Sequence, residues 1–469
     1  MRAGELRRRR RRASPRLHPT PGSRRCRIWG IDRRQLRQKL DLRVLRDRRV
    51  RRLALAQLTS AAGDGMVLAA LPFAILAAGG TDGQFSAALA VQALAMVLLF
   101  LPSGVIGDRF NRRRVVVAAD LLRFGARAAF ALLLIAGEAT FWQLLVVQAA
   151  NGAGTALFNT TMDGFVPEVI SGEKRLLKVN ALRFLALSLG MTLGPALGGV
   201  IYTEAGAAST FALDAGTFLI SALLICRLPA PFAERTSERV TLRSLIRDVG
   251  EGWGAFWKIR WYWRVATEFA VINALVFAPY FVVGPHVAEE SLGGSWAWSQ
   301  ILVGLGAGQF VGAVAVMPWE PKRPLLAATS VVAVWILPLL ALAMVAPVGI
   351  LVVSTAFAGI AYSMFGSIWE TIKQAHAPRH LRARLGSFDH LGSLGLVPFG
   401  YLLGAAMLAT VGATAGLIAG ALVLVVATLS VVTDPSVRDL RPNDDRTTVD
   451  KAIEGRLAPQ VALVTAGTE

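Results

Sequence analysis

Asp64 stands between Gly63 and Gly65 inside an otherwise apolar stretch. A carboxylate at the centre of a membrane helix costs at least about 2.5–3.5 kcal/mol on insertion scales, so it requires a partner or a purpose. One purpose is proton coupling, because a carboxyl in low dielectric can alternate between holding and releasing a proton. The other is structural, an acid neutralised by a hydrogen bond or an ion pair. Asp120, Arg123 and Arg127 follow at i, i+3 and i+7, which puts one acid and two bases on a single helix face. Asp120 is the second candidate proton carrier. Arg127 lies deeper and suits an anionic substrate or a carboxylate partner, while a stripe of structural ion pairs would account for the whole face. Asp214 and Glu268 fall toward the ends of their apolar stretches, where solvated or capping roles are expected. Gln92, Asn151 and Asn159 suit a cavity wall or hydrogen bonds between helices equally well, while Asn273 is less informative. Phe73, Met96, Phe158, Phe277, Tyr280 and Met364 suit a greasy pocket or plain packing.

Two further stretches concentrate special residues. Residues 104–114 read GVIGDRFNRRR. Gly104 and Gly107 permit a tight turn and a close helix approach. Asp108 can face the positive end of a neighbouring helix. Arg109, Arg112 and Arg113 anchor the turn, and Arg112 can also reach an acid, for which Asp120 is a plausible partner. Residues 190–199 read GMTLGPALGG, where Gly190, Gly194, Gly198 and Gly199 make a smooth face for close packing and Pro195 allows a bend. No nucleophile, base and orienting acid converge by spacing, the five His show no metal pattern, and no Gly-x4-Gly-Lys-Ser/Thr phosphate loop occurs. Neither an enzyme nor an ATP-driven pump is expected, and no cofactor or metal. Cys26 and Cys226 offer no metal spacing and no obvious disulfide.

Helices must carry these residues through a bilayer. The chain of 469 residues is 54% hydrophobic and 17% charged, against about 25% charged in soluble domains. Its net charge of +19 is concentrated in residues 1–52, where 20 Arg and one Lys face four acids. The basicity therefore belongs to a tail, expected to be disordered and held near anionic lipid, and a nucleic-acid partner is not expected. Twelve stretches of about 20 mostly apolar residues follow, near 53–78, 85–106, 115–136, 141–161, 180–202, 208–226, 265–285, 297–318, 325–345, 348–369, 386–408 and 412–432. The odd-numbered connections contain no Lys or Arg, whereas the even-numbered ones hold them throughout, which predicts both termini on the cytoplasmic side of the cell membrane.

The expected fold is thus an all-α integral membrane protein of twelve transmembrane helices in two pseudo-symmetric six-helix bundles, residues 53–226 and 265–432. A linker at 227–264 joins them and a cytoplasmic tail, 433–469, follows. Leu242, Leu245, Ile246, Val249, Trp253, Phe256 and Trp257 at helical spacing predict an amphipathic interfacial helix in that linker. Weak internal symmetry relates the halves: Pro167 precedes the fifth span with GPALGG (194–199), and Pro378 precedes the eleventh with VPFGYLLG (397–404).

The 104–114 segment resembles the loop signature of the major facilitator superfamily, Gly-x-x-x-Asp-Arg-x-Gly-Arg-Arg/Lys, with Asn111 where that family usually has Gly; Asn also accepts left-handed backbone geometry. The resemblance implies that Gly104, Asp108, Arg109, Arg112 and Arg113 form a conformational latch between bundles. The 190–199 segment resembles the antiporter motif of drug-exporting branches. SAAGDGMVLAALPF (60–73), AADLLRFGARAA (118–129), VPEVISGEKRLLKVNAL (166–182), LDAGTFLISALL (213–224) and APRHLRARLGS (377–387) are similar to the branch holding the enterobactin exporter and macrolide efflux proteins. What this implies is a proton-coupled exporter of small amphipathic or hydrophobic compounds, acting as a monomer in the lipid bilayer. Export of a siderophore or other metabolite is an alternative, and a non-transporting sensor or scaffold is one of another class.

Overall fold

The computed structural model describes residues 42–229, 256–376, 389 and 391–440, apart from 171, 318 and 320. The tail before residue 42, most of the stretch expected to form the linker helix, including Leu242 to Trp253, Pro378, and the tail beyond residue 440 lie outside the described residues.

The first half contains α1 (Arg48–Ala77), α2 (Asp82–Arg109), α3 (Arg112–Ala136), α4 (Phe141–Val169) and α5 (Glu173–Cys226). The second contains α6 (Arg260–Leu292), α7 (Ser295–Ala315), α8 (Pro324–Ala343), α9 (Val348–His376), α10 (Val397–Thr410) and α11 (Ala413–Val432). An unbroken helix of α5's length would exceed twice the thickness of a bilayer core. It folds back at Gly206, whose φ of 78° and ψ of −177° are open to glycine and not to residues with a Cβ. Among the described residues nine helices are long and apolar enough to cross a membrane. Dividing α5 at Gly206 and adding α3 and α4, which have the length but are too polar for that criterion, gives the twelve expected spans.

Helix starts follow local rules. Asp47 caps α1 by accepting from the Arg49 N–H at 2.8 Å, so the first span begins five residues before the apolar stretch does. Thr81 and Thr140 each form a capping box with the Gln three residues on, Gln84 and Gln143, and so start α2 and α4. Gly137, at φ 71°, ends α3. In α6 two π-helical turns, Asn273–Phe277 and Ala288–Leu292, interrupt the regular spiral.

Packing is densest between α1 and α5. The two halves meet along two seams, α5 against α7 and α2 against α10. The end bearing the 78–81 and 137–140 turns is here called the outer end, after its lack of Lys and Arg. Two polar links join the halves there. The Ser86 hydroxyl donates to the Tyr401 carbonyl, and His286 Nδ1 lies 2.9 Å from Asp82 Oδ2.

The expected symmetry has a structural counterpart. A Cβ on Gly194 would sit 2.4 Å from the Ala62 carbonyl of α1, and one on Gly400 would sit 2.3 Å from the Ala274 carbonyl of α6. Each glycine motif thus brings its helix into backbone contact with the first helix of its own half.

Candidate functional site

A cavity of about 400 Å³ lies between the halves, within the range of small-molecule sites. The first half contributes Asp64, Gln92, Met96, Arg127, Gln148 and Asn151 to its wall; the second contributes Asn273, Phe277, Gln309, Trp335, Tyr362 and Tyr401. Apolar and aromatic surface therefore surrounds a few convergent carboxamides and one charged corner.

That corner is built by α2, α3, α4 and α5, with Asp64 of α1 at its edge. Arg123 of α3 pairs with Asp120 one turn away, and the other Asp120 oxygen accepts from the Ser221 hydroxyl at 2.6 Å. The Arg123 guanidinium lies between the rings of Phe158 and Phe218, 4.8 and 4.3 Å from their centroids, a cation–π arrangement that helps hold a charge out of water. Arg127 pairs through Nε with Asp214 Oδ2 at 3.0 Å and donates from Nη1 to Gln148 Oε1 at 3.0 Å. Gln148 Nε2 in turn donates to Gln92 Oε1 at 2.8 Å. These charged side chains are almost wholly buried.

Asp64 differs from the other two acids. Its side chain keeps 34% exposure, on the cavity wall, and its nearest ion-pair partner, Arg123 Nη1, is 3.9 Å away. Asn151 lines the cavity wall beside it. Three carboxylates thus face two guanidiniums, and each guanidinium already has a closer acid. The cluster balances its charge when one carboxyl holds a proton, and Asp64 is the acid that is both loosest and open to the cavity.

Both glycines beside Asp64 are contact points. A Cβ on Gly63 would meet the Thr217 hydroxyl at 2.1 Å and Asp214 at 2.3 Å, and one on Gly65 would meet Pro195 at 2.8 Å. The antiporter-like stripe supplies the opposing surface: Gly190 packs on Leu58 and Ala61, Gly194 on Ala62 and Gly65, and Gly198 on Met66. Gly199 faces the other way, toward Ser299 of α7 across the seam.

Several expectations need correction. Asp214 and Glu268 are neither solvated nor capping; both are buried, and Asp214 is the partner that Arg127 required. Arg112 does not reach Asp120. It donates to Glu168 at 2.8 Å and to the Gly164 carbonyl at 3.0 Å, because the start of α3 lies beside the end of α4. Arg113 donates to the Leu228 carbonyl at 2.8 Å. Gly107 packs on Thr161, whereas Gly104 is exposed and a Cβ there would meet nothing within 4 Å. Asn111 adopts φ −60° and caps α3 through the Arg114 N–H, so it stands in the glycine position as a cap and not as a left-handed residue. Arg109 is exposed at the end of α2, and the Asp108 side chain lies outside the described residues. Of the aromatic and Met candidates, Met96 and Phe277 line the cavity. Phe158 lies under Arg123, and Tyr280 is buried near Trp298 and Trp335. Gln148, Ser221 and Glu168 carried no sequence signal, since their partners lie on other helices.

Comparison with known proteins agrees with this architecture. The family model described as Major Facilitator Superfamily matches residues 53–388. The multidrug efflux pump Tap of Mycobacterium tuberculosis is 28% identical over 405 residues, covering 83% of this chain and 94% of the relative. The enterobactin exporter EntS of Salmonella typhi is 24% identical over 200 residues, 42% of this chain and 48% of that protein. The crystal structure of a point mutant of the nucleoside transporter NupG superposes with a TM-score of 0.63 at 13% identity, covering 82% of this chain and all of that one, a likeness of fold. With its family model spanning well over half of the chain, this protein belongs to the Major Facilitator Superfamily, a family of multi-pass membrane transporters and not of enzymes.

Proposed function

We propose that the chain exports small amphipathic, drug-like compounds across the cell membrane by alternating access, in exchange for protons, with Asp64 as the coupling carboxylate. The observation that carries this reading is the charge count at the cavity wall: Asp64 is the third acid beside two arginines, and the one acid of the three that meets the cavity. A proton on Asp64 balances the cluster. Its departure leaves one negative charge, which a cationic or strongly dipolar substrate can replace, so proton and substrate compete for one place. The efflux pump relative supports the direction of transport. The two bundles are the moving bodies, with both termini cytoplasmic. Asp108, Arg109, Arg112 and Arg113 act as the latch at the inner end; Arg112 and Arg113 are themselves anchored within the first half, on the ends of α4 and α5.

The test uses inside-out vesicles with an acidified lumen and a pH-sensitive dye, challenged with lipophilic cations, macrolides and catecholate siderophores. Luminal alkalinisation with one compound class, lost in Asp64→Asn, is the expected result. Alkalinisation that persists in the variant moves the proton site to Asp120. Silence across the panel with well-expressed protein overturns the exporter reading for these classes.

A further inference from the structure

His286 sits near the outer end of α6, just before the π-helical turn Ala288–Leu292. Both of its ring nitrogens face carboxylates: Nδ1 is 2.9 Å from Asp82 Oδ2 at the start of α2, and Nε2 is 3.4 Å from Glu290 Oε2 on its own helix. Ionised carboxylates only accept hydrogen bonds, and a neutral imidazole has one donor nitrogen and one acceptor. Only the doubly protonated imidazolium satisfies both contacts. Asp82 belongs to one bundle and His286 to the other, so this contact crosses the α2 seam. The site is open to water, with 24% of the His286 side chain and 26% of the Asp82 side chain exposed.

The electrostatic surroundings are one-sided. Asp82 from α2 and Glu289 and Glu290 from α6 are the charged residues that these elements bring to this end. The packed stretches of α7, α8, α10 and α11 carry no charged residue; further titratable groups are Tyr401 of α10, Tyr280 of α6 and Tyr202 of α5, which lies near Glu289. With a neutral imidazole the seam would hold three acids and no cation. With an imidazolium it gains an ion pair between the bundles.

We propose that His286 is a proton-binding site in the outer seam, and that its protonated form holds the outer ends of the two bundles together. It is separate from Asp64, which lines the central cavity. Histidine is the side chain that ordinarily changes charge near neutral pH, so it suits a proton-binding role. Protons on the outer side then favour the state whose outer end is closed. In an exporter driven by protons from outside, this is the step that returns the carrier toward the inside after substrate has left. The proposal rests on the alternating-access reading for its meaning, but its test does not require transport.

The experiment places spin labels on Glu138→Cys and Met344→Cys, exposed residues in the outer turns of the two bundles. The background carries Cys26→Ser, Cys226→Ser and Asp64→Asn, which removes native thiols and silences the cavity site. Distances are measured in nanodiscs from about pH 5 to 8.5. The expected result is a short distance at low pH and a longer one that grows in as the pH rises, with the open-to-closed ratio changing at most tenfold per pH unit for one proton. His286→Gln should favour the long distance at every pH, and His286→Arg, a permanent cation, should favour the short one at every pH. A pH response that survives His286→Gln, or no response in the histidine protein, overturns the proposal. Vesicle exchange measured beside it separates the two readings: a pH-gated outer seam without drug–proton exchange would reject antiport and keep the gate.

Discussion

Neutralising Asp64 and neutralising Asp214 should have very unequal effects on stability, although both remove one carboxylate from the same cluster. Asp64→Asn leaves two acids and two bases, with the Asp120–Arg123 and Asp214–Arg127 pairs intact. Asp214→Asn also leaves two of each, but the geometry is wrong. Arg127, almost fully buried, loses its 3.0 Å partner and keeps the neutral Gln148. Removing one partner of a buried pair costs about 3–5 kcal/mol, because the remaining charge stays desolvated. Asp64 is the nearest replacement and must then remain ionised, so Asp214→Asn should also lose proton coupling. Asp64→Asn should lose coupling while changing stability by less than about 1 kcal/mol, the range of a poorly paired, part-exposed ion. Adding Asp64→Asn to Asp214→Asn should cost more than the two single changes together, since one acid would then face two arginines. Thermal unfolding of the detergent-solubilised variants, read by size-exclusion fluorescence, measures all three. Equal destabilisation by Asp64→Asn and Asp214→Asn, or strict additivity, would refute the charge count.

Two further outcomes follow from contacts described above. Gly194→Ala drives a methyl to 2.4 Å from the Ala62 carbonyl, where neither helix can yield cheaply; overpacking of this kind costs about 1–3 kcal/mol, and a lowered melting temperature with impaired export checks it. Asp434, beyond the last span, is pushed up by burial, but hydrogen bonds from the Ser436 side chain and backbone and from Arg260 outweigh this and hold its carboxyl below the usual value. Its contribution is therefore present above about pH 4 and lost as the pH falls through the acid range. Melting curves between pH 3 and pH 6 should show this loss in the natural protein and its absence in Asp434→Asn.

Much of the molecule was legible in the order of its residues. The twelve spans emerged from apolar length, and the two halves of α5 were separable because Glu204 and Gly206 interrupt its apolar run. Asp64, Asp120, Arg123 and Arg127 were visible because a charge inside an apolar stretch has few innocent explanations. Their pairing was only half visible. Asp120 and Arg123 are one helical turn apart and pair as spacing predicts, whereas Arg127 finds Asp214 from a helix 87 residues later. Only packing sets such a contact. The same limit explains Arg112, whose partner Glu168 follows from the neighbouring ends of α3 and α4 and not from any repeat. His286 gave no signal at all, since an isolated histidine near an outer turn acquires meaning from Asp82, on a helix of the other bundle.

The glycine stripe on α5 has a mechanical consequence. Gly190, Gly194 and Gly198 hold the α1 backbone at van der Waals distance over two full turns, and Gly400 and Gly404 do the same for α10 on α6. At that distance no side chain fits between α1 and α5, so any motion that separates them must open a void. Each half is therefore a stiff lever with its fulcrum along the α5–α7 and α2–α10 seams. Asp64, fixed to the first lever by the glycines at either side, does not travel relative to its arginines. In the cycle we propose, what changes is which solution the opposite wall lets reach it.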